Sequence, residues 1–170
     1  CAVPSGAFGG YAEAAVCPTA MAFEMPEDLP DTEAAAIYFP FHLSSLALFE
    51  RGRLTRGETV LVHAAAGGVG SAAVQLARHA GARVIATAGS PEKVAFCRSL
   101  GADLAIDYRA GDFVDAVNEA TDGRGVDVVF DSVGGDVTER SLRCLRFNGR
   151  LLLIGFAGGI EAEDRSTLTP

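Results

Sequence analysis

A strand that turns through a glycine-rich loop into a helix is the feature that most constrains what this chain can fold into. Residues 58–63 have the apolar centre Val60-Leu61-Val62, and residues 64–70 follow at once with the sequence Ala-Ala-Ala-Gly-Gly-Val-Gly. Apolar residues then recur at the spacing of one helix face, namely Val69, Ala73, Leu76 and Ala80. A second apolar strand over residues 83–87 follows Gly81. This succession of strand, helix and strand predicts a right-handed crossover and hence a parallel sheet.

The same loop predicts a site for a bound pyrophosphate. The helix is expected to begin at Gly70, where free N–H groups and the positive end of the helix dipole favour an anionic ligand. Gly67 and Gly68 allow the backbone to approach that ligand, while Gly70 allows the helix to pack closely on the strand. Ala65 stands at the first glycine of the usual GxGxxG pattern, so the loop alone leaves a plain packing turn open as an alternative.

Three further apolar segments complete a set of five predicted strands: residues 103–107, 126–130 and 150–155. Helical segments separate the strands, which predicts a doubly wound parallel α/β sheet of the Rossmann type. In such sheets the first and fourth strands flank the switch point, and ligands bind beyond the carboxyl ends of the strands. A second glycine turn, residues 132–135, follows the fourth strand. Both turns are therefore expected at one edge, where together they predict a dinucleotide site.

Composition narrows the class of protein. The chain has 170 residues, 49% of them hydrophobic, which suffices for one main domain with a proper core. Its formal charge of −8 disfavours nucleic acid as a partner. No run approaches the roughly 20 apolar residues of a membrane span and no signal peptide is evident, so we expect a soluble, cytoplasmic protein. The four cysteines form no CxxC pair, so we expect no metal site and no disulfide scaffold.

The end of the second strand bears on the choice of cofactor. In an NAD site an acidic side chain about 20 residues after the glycine loop binds the ribose 2′-hydroxyl. Here Ala88 and Gly89 occupy that place, so a 2′-phosphate can enter without repulsion. The residues placed to bind that phosphate are Ser90, Lys93, and Tyr108 or Arg109. The sequence therefore predicts NADPH rather than NADH.

The first part of the chain differs in kind from the rest. Residues 8–16 look like an end strand of another unit, and Asp31 is a candidate N-cap for a helix over residues 32–37. We expect a remnant of another domain over residues 1–30 and the dinucleotide-binding domain over residues 31–170. Because the chain begins without methionine and stops before a sixth strand, we expect a piece of a longer protein, with an open sheet edge that favours a homodimer.

Three segments together carry a family resemblance. They are residues 64–70, residues 127–135 (Asp-Val-Val-Phe-Asp-Ser-Val-Gly-Gly) and residues 149–156 (Gly-Arg-Leu-Leu-Leu-Ile-Gly-Phe). With these segments the chain resembles, over almost its whole length, the zinc-independent quinone oxidoreductases of the medium-chain dehydrogenase/reductase superfamily. The resemblance implies that residues 1–30 close a GroES-like catalytic domain and that residues 32–51 form a helical passage into the cofactor domain.

The resemblance also implies an NADPH-dependent reductase that delivers hydride to a quinone or another activated enone. The first glycine turn would contact the pyrophosphate, the ends of the second and third strands the 2′-phosphate, and the later turns the ribose and nicotinamide. The cofactor-binding residues expected are Ala66, Gly67, Gly68, Val69, Gly70, Ser90, Lys93, Tyr108, Ser132, Val133, Gly155 and Phe156. The protein would mainly orient cofactor and acceptor, and the sequence identifies no catalytic residue.

Other functions stay open on the sequence alone. Residues 43–45 are Leu-Ser-Ser where relatives usually carry Thr-Ala-Tyr, so the hydroxyl that relatives present near the nicotinamide is not assured here. An enoyl-thioester reductase module of a polyketide or fatty-acid synthase shares this cofactor domain and is one alternative. A non-catalytic NADPH-binding sensor is another. A methyltransferase, which would need a carboxylate where Ala88 stands, is disfavoured.

For two polar residues near the predicted cleft we expect structural rather than catalytic roles. His63 ends the first strand, and we expect a backbone partner to satisfy its ring rather than a role in catalysis. Asp131 ends the fourth strand, and we expect it to accept hydrogen bonds from backbone N–H groups of the turn that follows.

Overall fold

The computed structural model describes residues 12–158, and its contacts divide the chain into two units, Cys1–Phe39 and Pro40–Pro170. In the described part of the first unit a short 3-10 helix spans Thr19–Met21. Residues 12–16 form bends and irregular backbone, so this part of the strand predicted over residues 8–16 is not a strand, and the rest lies outside the described residues. The GroES-like remnant stays a prediction.

The first long helix, α1, spans Asp31–Ser45 and continues as a π-helical turn over Leu46–Arg51. The prediction of a helix ending at residue 37 was wrong, because Pro40 lies inside α1. Asp31 was also wrongly predicted as the N-cap, since the N–H groups of residues 33 and 34 both donate to the Pro30 carbonyl at 2.9 Å. The longer passage over residues 32–51, implied by the family resemblance, matches the observed helix.

The second unit alternates strands and helices. In chain order these are β1 (Thr59–Val62), α2 (Gly68–His79), β2 (Arg83–Ala88), α3 (Pro91–Ser99), β3 (Leu104–Asp107), α4 (Phe113–Ala120), β4 (Val126–Asp131), α5 (Asp136–Ser141) and β5 (Leu145–Leu153). The strands pair in parallel in the order β3-β2-β1-β4-β5. The predicted five-stranded, Rossmann-like parallel sheet is confirmed, with β1 and β4 flanking the switch point.

Alternate residues of each strand face two separate apolar layers. Val60 and Val62 of β1 join the layer that contains residues of α2 and α3, whereas Leu61 joins the layer that contains residues of α4. In β4, Val128 and Val129 divide between the layers in the same way. The strands are therefore nearly continuous apolar runs, because helices cover both faces of the sheet. This packing holds the carboxyl ends of β2, β1 and β4 side by side.

β5 begins earlier than the sequence predicted. A helix stop was expected at residues 148–149 and a strand over residues 150–155, but β5 already starts at Leu145. Between two successive pairings with β4, this strand carries three more residues than its partner. Asn148 lies there with a φ of 62°, in the left-handed region. The Asn-Gly pair therefore belongs to an irregularity within the strand rather than to the end of a helix.

Candidate functional site

The first glycine turn is fixed by both strands beside β1. The His63 N–H donates to a β4 carbonyl and the Ala65 N–H to a β2 carbonyl, each at 3.0 Å. Between them Ala64 adopts a φ of 48°, and the Gly67 N–H closes the turn on the Ala64 carbonyl at 2.9 Å. Because these bonds precede α2, the start of that helix is held at the carboxyl edge of the sheet.

The start of α2 offers backbone donors to a ligand. The helix begins at Gly68, two residues before the predicted start, and its N-cap, Gly67, contributes no side-chain hydrogen bond. Both glycines are exposed, and a Cβ added at Gly68 would meet nothing closer than a Pro40 atom at 3.9 Å. Anions bind favourably at such helix starts, where N–H groups lack intrahelical acceptors. The turn therefore has the open backbone surface that a pyrophosphate requires.

Gly70 has a different role in the same turn. A Cβ at this position would lie 2.3 Å from the Ala64 carbonyl oxygen and 2.7 Å from the Ala65 Cα. Both atoms belong to the backbone, so neither can move without displacing the turn. The close packing of helix on strand that was predicted for Gly70 is confirmed.

The passage helix is tied to this turn. Ser44, in α1, is fully buried, and its Oγ donates to the Val69 carbonyl at 3.0 Å. The second hydroxyl of the Leu-Ser-Ser segment, on Ser45, lies in a half-buried residue. Relatives usually carry Thr-Ala-Tyr where this chain has Leu-Ser-Ser. Of the two serine hydroxyls, that of Ser44 thus binds the start of α2.

The second glycine turn is organised by Asp131 at the end of β4. Its Oδ1 accepts from the Val133 N–H at 2.8 Å and from the Gly134 N–H at 3.1 Å. Its Oδ2 accepts a short hydrogen bond from the Thr138 hydroxyl of α5. The prediction that Asp131 binds backbone N–H groups is confirmed, and the carboxylate also joins the turn to the helix that follows.

A third turn, after β5, meets the second. The Ile154 N–H donates to the Asp131 carbonyl at 2.7 Å, and the N–H groups of residues 157 and 158 donate to the carbonyls of residues 132 and 133. Phe156 packs so tightly on Gly134 that a Cβ there would lie 2.8 Å from its ring. The Ser132 hydroxyl reaches the His63 carbonyl at 3.5 Å. The turns after β1, β4 and β5 thus form one continuous edge.

The ends of β2 and β3 lie beside each other with no carboxylate at the end of β2. Ala88 and Gly89 are both buried, and the Tyr108 hydroxyl oxygen lies 2.5 Å from where a Gly89 Cβ would be. Ser90 caps α3 by accepting from the Lys93 N–H at 3.3 Å, with proline at the first helical position. The predicted cap is confirmed. Tyr108 thus packs against the place where an NAD site carries its acid, Ser90 follows that place directly, and Lys93 lies in the first turn of α3.

A cavity of about 200 Å³ opens at the same edge, beyond β1, β2 and β4. It is lined by His63, Ala64, Thr87, Tyr108, Phe113, Val133, Val137 and Arg140. The Arg140 guanidinium lies 4.5 Å from the centre of the Phe113 ring and binds Asp112 at 2.9 Å. The cavity is mainly apolar with a fixed cation at its wall, which suits a flat aromatic group that carries polar edges.

His63 forms part of the cavity wall and is satisfied by two side chains. Its Nδ1 lies 2.9 Å from the Thr87 hydroxyl and its Nε2 lies 2.8 Å from the Ser141 hydroxyl. The Ser141 hydroxyl also donates to the Val137 carbonyl at 2.6 Å, so its proton is engaged there and Nε2 is assigned as the donor to Ser141. The prediction of a backbone partner was wrong, because β2 and α5 each place a hydroxyl against the ring.

Burial keeps the His63 ring neutral. The ring is 2% exposed, and burial lowers its pKa from 6.5 to about 4, with a smaller contribution from the Arg140 charge. The Asp131 carboxylate opposes this shift. A neutral imidazole between two hydroxyls is a structural bridge across three elements at physiological pH.

The twelve residues predicted to bind cofactor all follow the carboxyl end of a strand. Residues 66–70 follow β1, Ser90 and Lys93 follow β2, Tyr108 follows β3, Ser132 and Val133 follow β4, and Gly155 and Phe156 follow β5. Their contacts to a cofactor stay predictions. The sequence did not identify Thr87, Phe113 and Arg140 as cavity residues. They lie in β2, α4 and α5, which meet only in the folded structure, and no local motif marks any of them.

Neither metal ligands nor membrane spans are found in the part of the chain that the structure describes. Among residues 12–158, no three His, Cys, Asp or Glu side chains come together in a way that could hold a metal ion. Within the same residues, every helix is too short or too polar to cross a membrane.

Comparison with known proteins agrees with this geometry. The family model described as zinc-binding dehydrogenase matches residues 68–169, which include α2 and the later turns. The chain belongs to the medium-chain dehydrogenase/reductase superfamily and is quinone-oxidoreductase-like. A quinone oxidoreductase-like protein 2 homolog of Nematostella vectensis is 40% identical over 155 residues, or 91% of this chain and 42% of the relative.

Two solved structures in this superfamily are also similar. A mycobacterial protein in complex with NADPH is 37% identical, with a TM-score of 0.78 over 84% of this chain and 44% of that one. The CurK enoyl reductase is 41% identical, with a TM-score of 0.75 over 83% of this chain and 42% of that one. The chain spans less than half the length of each of these relatives. It is the NAD(P)-binding part of the oxidoreductase fold that the relatives share.

Proposed function

We propose that this chain binds NADPH as the cofactor half of a zinc-independent oxidoreductase that reduces quinones or other activated enones. The observation that carries the proposal is the end of β2. There Ala88 and Gly89 stand in place of the acid of an NAD site, and Tyr108 packs on the glycine. The proposal concerns the gene product as a whole, and the chain supplies the cofactor site.

The residues present fit NADPH. The uncapped start of α2, with exposed Gly67 and Gly68, would hold the pyrophosphate through backbone N–H groups. Lys93 and the hydroxyls of Ser90 and Tyr108 would hold the 2′-phosphate. The cavity lined by Phe113 and Arg140 would take the adenine, because its walls are mainly apolar with one cation.

The nicotinamide half would lie along the second and third turns. Ser132, Val133, Gly155 and Phe156 form this part of the edge, and hydrogen bonds between residues 131–133 and 154–158 hold it rigid. The bound cofactor supplies the hydride. The chain's own residues bind and orient it, and the rigid turns reduce the entropy that would otherwise be lost when the reacting atoms are aligned.

The proposed function and its nearest alternative differ in the molecule that accepts the hydride. An enoyl-thioester reductase module would use the same cofactor site, and the likeness to a solved enoyl reductase favours it. The name of the Nematostella relative, quinone oxidoreductase-like, favours quinones. Both reactions add hydride to a carbon conjugated with a carbonyl, so the same turns would serve either acceptor.

Turnover on two acceptors tests the proposal. The complete gene product is assayed for NADPH oxidation with 1,4-benzoquinone and with crotonyl-thioester, and again with NADH. The proposal predicts NADPH-dependent reduction of the quinone at a higher kcat/KM than the thioester. A preference for the thioester would favour the enoyl reductase. NADPH binding without turnover of either would favour a non-catalytic sensor.

A further inference from the structure

A second cleft lies at the amino ends of the strands, on the sheet edge opposite the glycine turns. Its volume is about 620 Å³, within the range of roughly 300–1,000 Å³ typical of small-molecule sites. The charged residues that line it are Arg56, Glu58, Arg83, Arg124, Asp127 and Arg146. They come from four separate segments, which the starts of β1, β2, β4 and β5 bring together. Nothing in the proposed oxidoreductase function uses this cleft.

The two carboxylates of the cleft are already engaged. Glu58 Oε2 accepts from Arg150 Nη2 at 2.7 Å and from the Thr55 N–H at 2.9 Å. Asp127 Oδ1 lies 2.5 Å from Arg146 Nε, and its Oδ2 accepts from the Thr59 N–H at 2.7 Å. Burial has the largest single effect on the Glu58 pKa and raises it, but the combined interactions with Arg150 and Thr55 outweigh burial, so the Glu58 pKa is lowered. Each carboxylate is thus bound by an arginine and by a backbone N–H group, Glu58 by one before β1 and Asp127 by the first one of β1.

Two of the remaining guanidinium groups have no ion-pair partner among the described residues, and the third has only an exposed one. Arg56 and Arg83 make no side-chain hydrogen bond or ion pair with any residue that the structure describes. Arg124 forms an exposed ion pair with Asp122 at 3.6 Å, and its Nε donates to the Thr121 carbonyl at 3.3 Å. The whole chain has a net charge of −8. The cleft differs from this average, because four arginines and only two carboxylates line it. A concave site with net positive charge concentrates anions.

One of these arginines is held in place by packing. The Arg56 side chain lies over Gly81, so closely that a Cβ there would meet its Cγ and Cζ at 3.2 Å. Gly81 has a φ of 80° and its carbonyl accepts from the Gly57 N–H at 3.0 Å. The Arg56 guanidinium therefore needs little ordering before it binds a ligand, which reduces the entropic cost of binding.

We propose that this cleft is a binding site for a small multivalent anion, of the phosphorylated class, held by Arg56, Arg83 and Arg124. Guanidinium groups bind phosphate oxygens through paired N–H donors, and three of them around a concave site match a ligand with two or more charges. An acidic protein surface fits less well, because the cleft is concave and its cations come from separate segments.

Calorimetric titration with inorganic pyrophosphate tests the site on the complete gene product, with and without saturating NADPH. NADPH prevents the probe from binding the glycine turn. Its own affinity, measured separately by nicotinamide fluorescence, reports whether the proposed function holds. The test variant is Arg56→Gln/Arg83→Gln, which leaves the described ion pairs intact. The matched control is Arg53→Gln/Arg98→Gln, which removes two exposed charges outside the cleft.

We expect one pyrophosphate to bind in both conditions, with a loss of at least about tenfold in affinity in the cleft variant and none in the control. Absence of binding would overturn the proposal, as would equal affinity in the cleft variant. An equal loss in the control would also overturn it, because the effect would then follow net charge alone. A parallel titration with hexaglutamate tests an acidic polypeptide as the ligand. Binding of hexaglutamate but not of pyrophosphate would overturn the proposal in favour of that polypeptide.

Discussion

At the residue scale, Gly68 and Gly70 have separate roles in one turn. Gly70→Ala would place a methyl group 2.3 Å from the Ala64 carbonyl oxygen, and we expect it to lower the free energy of unfolding by about 1–3 kcal/mol or more. Gly68→Ala meets open space and should change stability by less than about 0.5 kcal/mol. Urea unfolding measures both values.

NADPH binding gives a second comparison, in which Gly68→Ala, the variant with little effect on stability, is expected to have a clear effect. Gly68→Ala should weaken NADPH binding while it leaves the fold intact, because the added methyl group occupies the surface proposed for the pyrophosphate. If Gly68→Ala binds NADPH as tightly as the natural protein, the ligand does not approach the backbone there.

His63 makes stability depend on pH. The unfolded ring has a pKa near 6.5 and the folded ring a pKa of about 4, so below pH 6.5 the unfolded chain takes up a proton first and unfolding becomes more favourable. The stabilisation is complete above pH 6.5 and falls as the pH drops towards 4, by roughly 3 kcal/mol in total. Urea unfolding at about pH 7.5 and about pH 4.5 measures this change.

A matched variant isolates the contribution of His63 from that of the carboxylates. His63→Gln keeps an amide between the Thr87 and Ser141 hydroxyls but cannot titrate. Its stability should fall by about 2–3 kcal/mol less than that of the natural protein between these two pH values. Equal falls would mean that His63 does not carry the pH dependence.

Single residues could be predicted where their partners are close in sequence. The Ser90 cap, the packing of Gly70 and the backbone bonds of Asp131 each involve residues within a few positions. The partners of His63 lie 24 and 78 positions away. Because a hydroxyl on β2 or α5 has no local sequence relation to the ring, the sequence could not identify them.

At the element scale, the turn between β4 and α5 depends on one carboxylate. Asp131→Ala removes the acceptor of two backbone N–H groups and of the Thr138 hydroxyl. We expect a loss of about 3 kcal/mol in the free energy of unfolding, with weaker NADPH binding because the second turn carries Ser132 and Val133. Denaturant unfolding and nicotinamide fluorescence measure the two effects.

Thr138→Val is the control for that prediction. It removes one hydrogen bond of the carboxylate and leaves both turn bonds, so we expect a cost of only about 1 kcal/mol and nearly unchanged NADPH affinity. If Thr138→Val matches Asp131→Ala in both measurements, the link to α5 rather than the turn itself positions the site.

The elements were predictable where a repeated pattern marks them. Apolar runs marked β1, β2 and β4, and glycines marked the turns between strands and helices. The start of β5 could not be predicted from the sequence. Leu145 pairs with β4 across a register shift, and an Asn-Gly pair, which is typical of a turn, lies within the strand. The length of α1 was missed because Pro40, usually a helix end, lies inside it.

At the scale of the whole molecule, β5 forms an edge of the sheet within residues 12–158. Leu153 and Phe156 are half exposed there, and Phe147 is 91% exposed. Unpaired strand edges favour pairing with another strand, so we propose that two copies of the chain associate through β5. Sedimentation should detect a dimer that Leu151→Pro abolishes, because proline removes a backbone donor. A monomer at high concentration would contradict the proposal.

The carboxyl edge of the sheet, with its three turns and no carboxylate at the end of β2, is the part of the chain that we propose binds NADPH. Titration with NADPH and with NADH, followed by nicotinamide fluorescence, tests this most directly when repeated with Lys93→Ala and with the control Arg98→Ala on the same helix. We predict that NADPH binds roughly 10- to 150-fold more tightly than NADH, and that this preference disappears in Lys93→Ala and persists in Arg98→Ala. Equal affinity for the two cofactors, or a preference that survives in Lys93→Ala, would contradict the proposed phosphate contact.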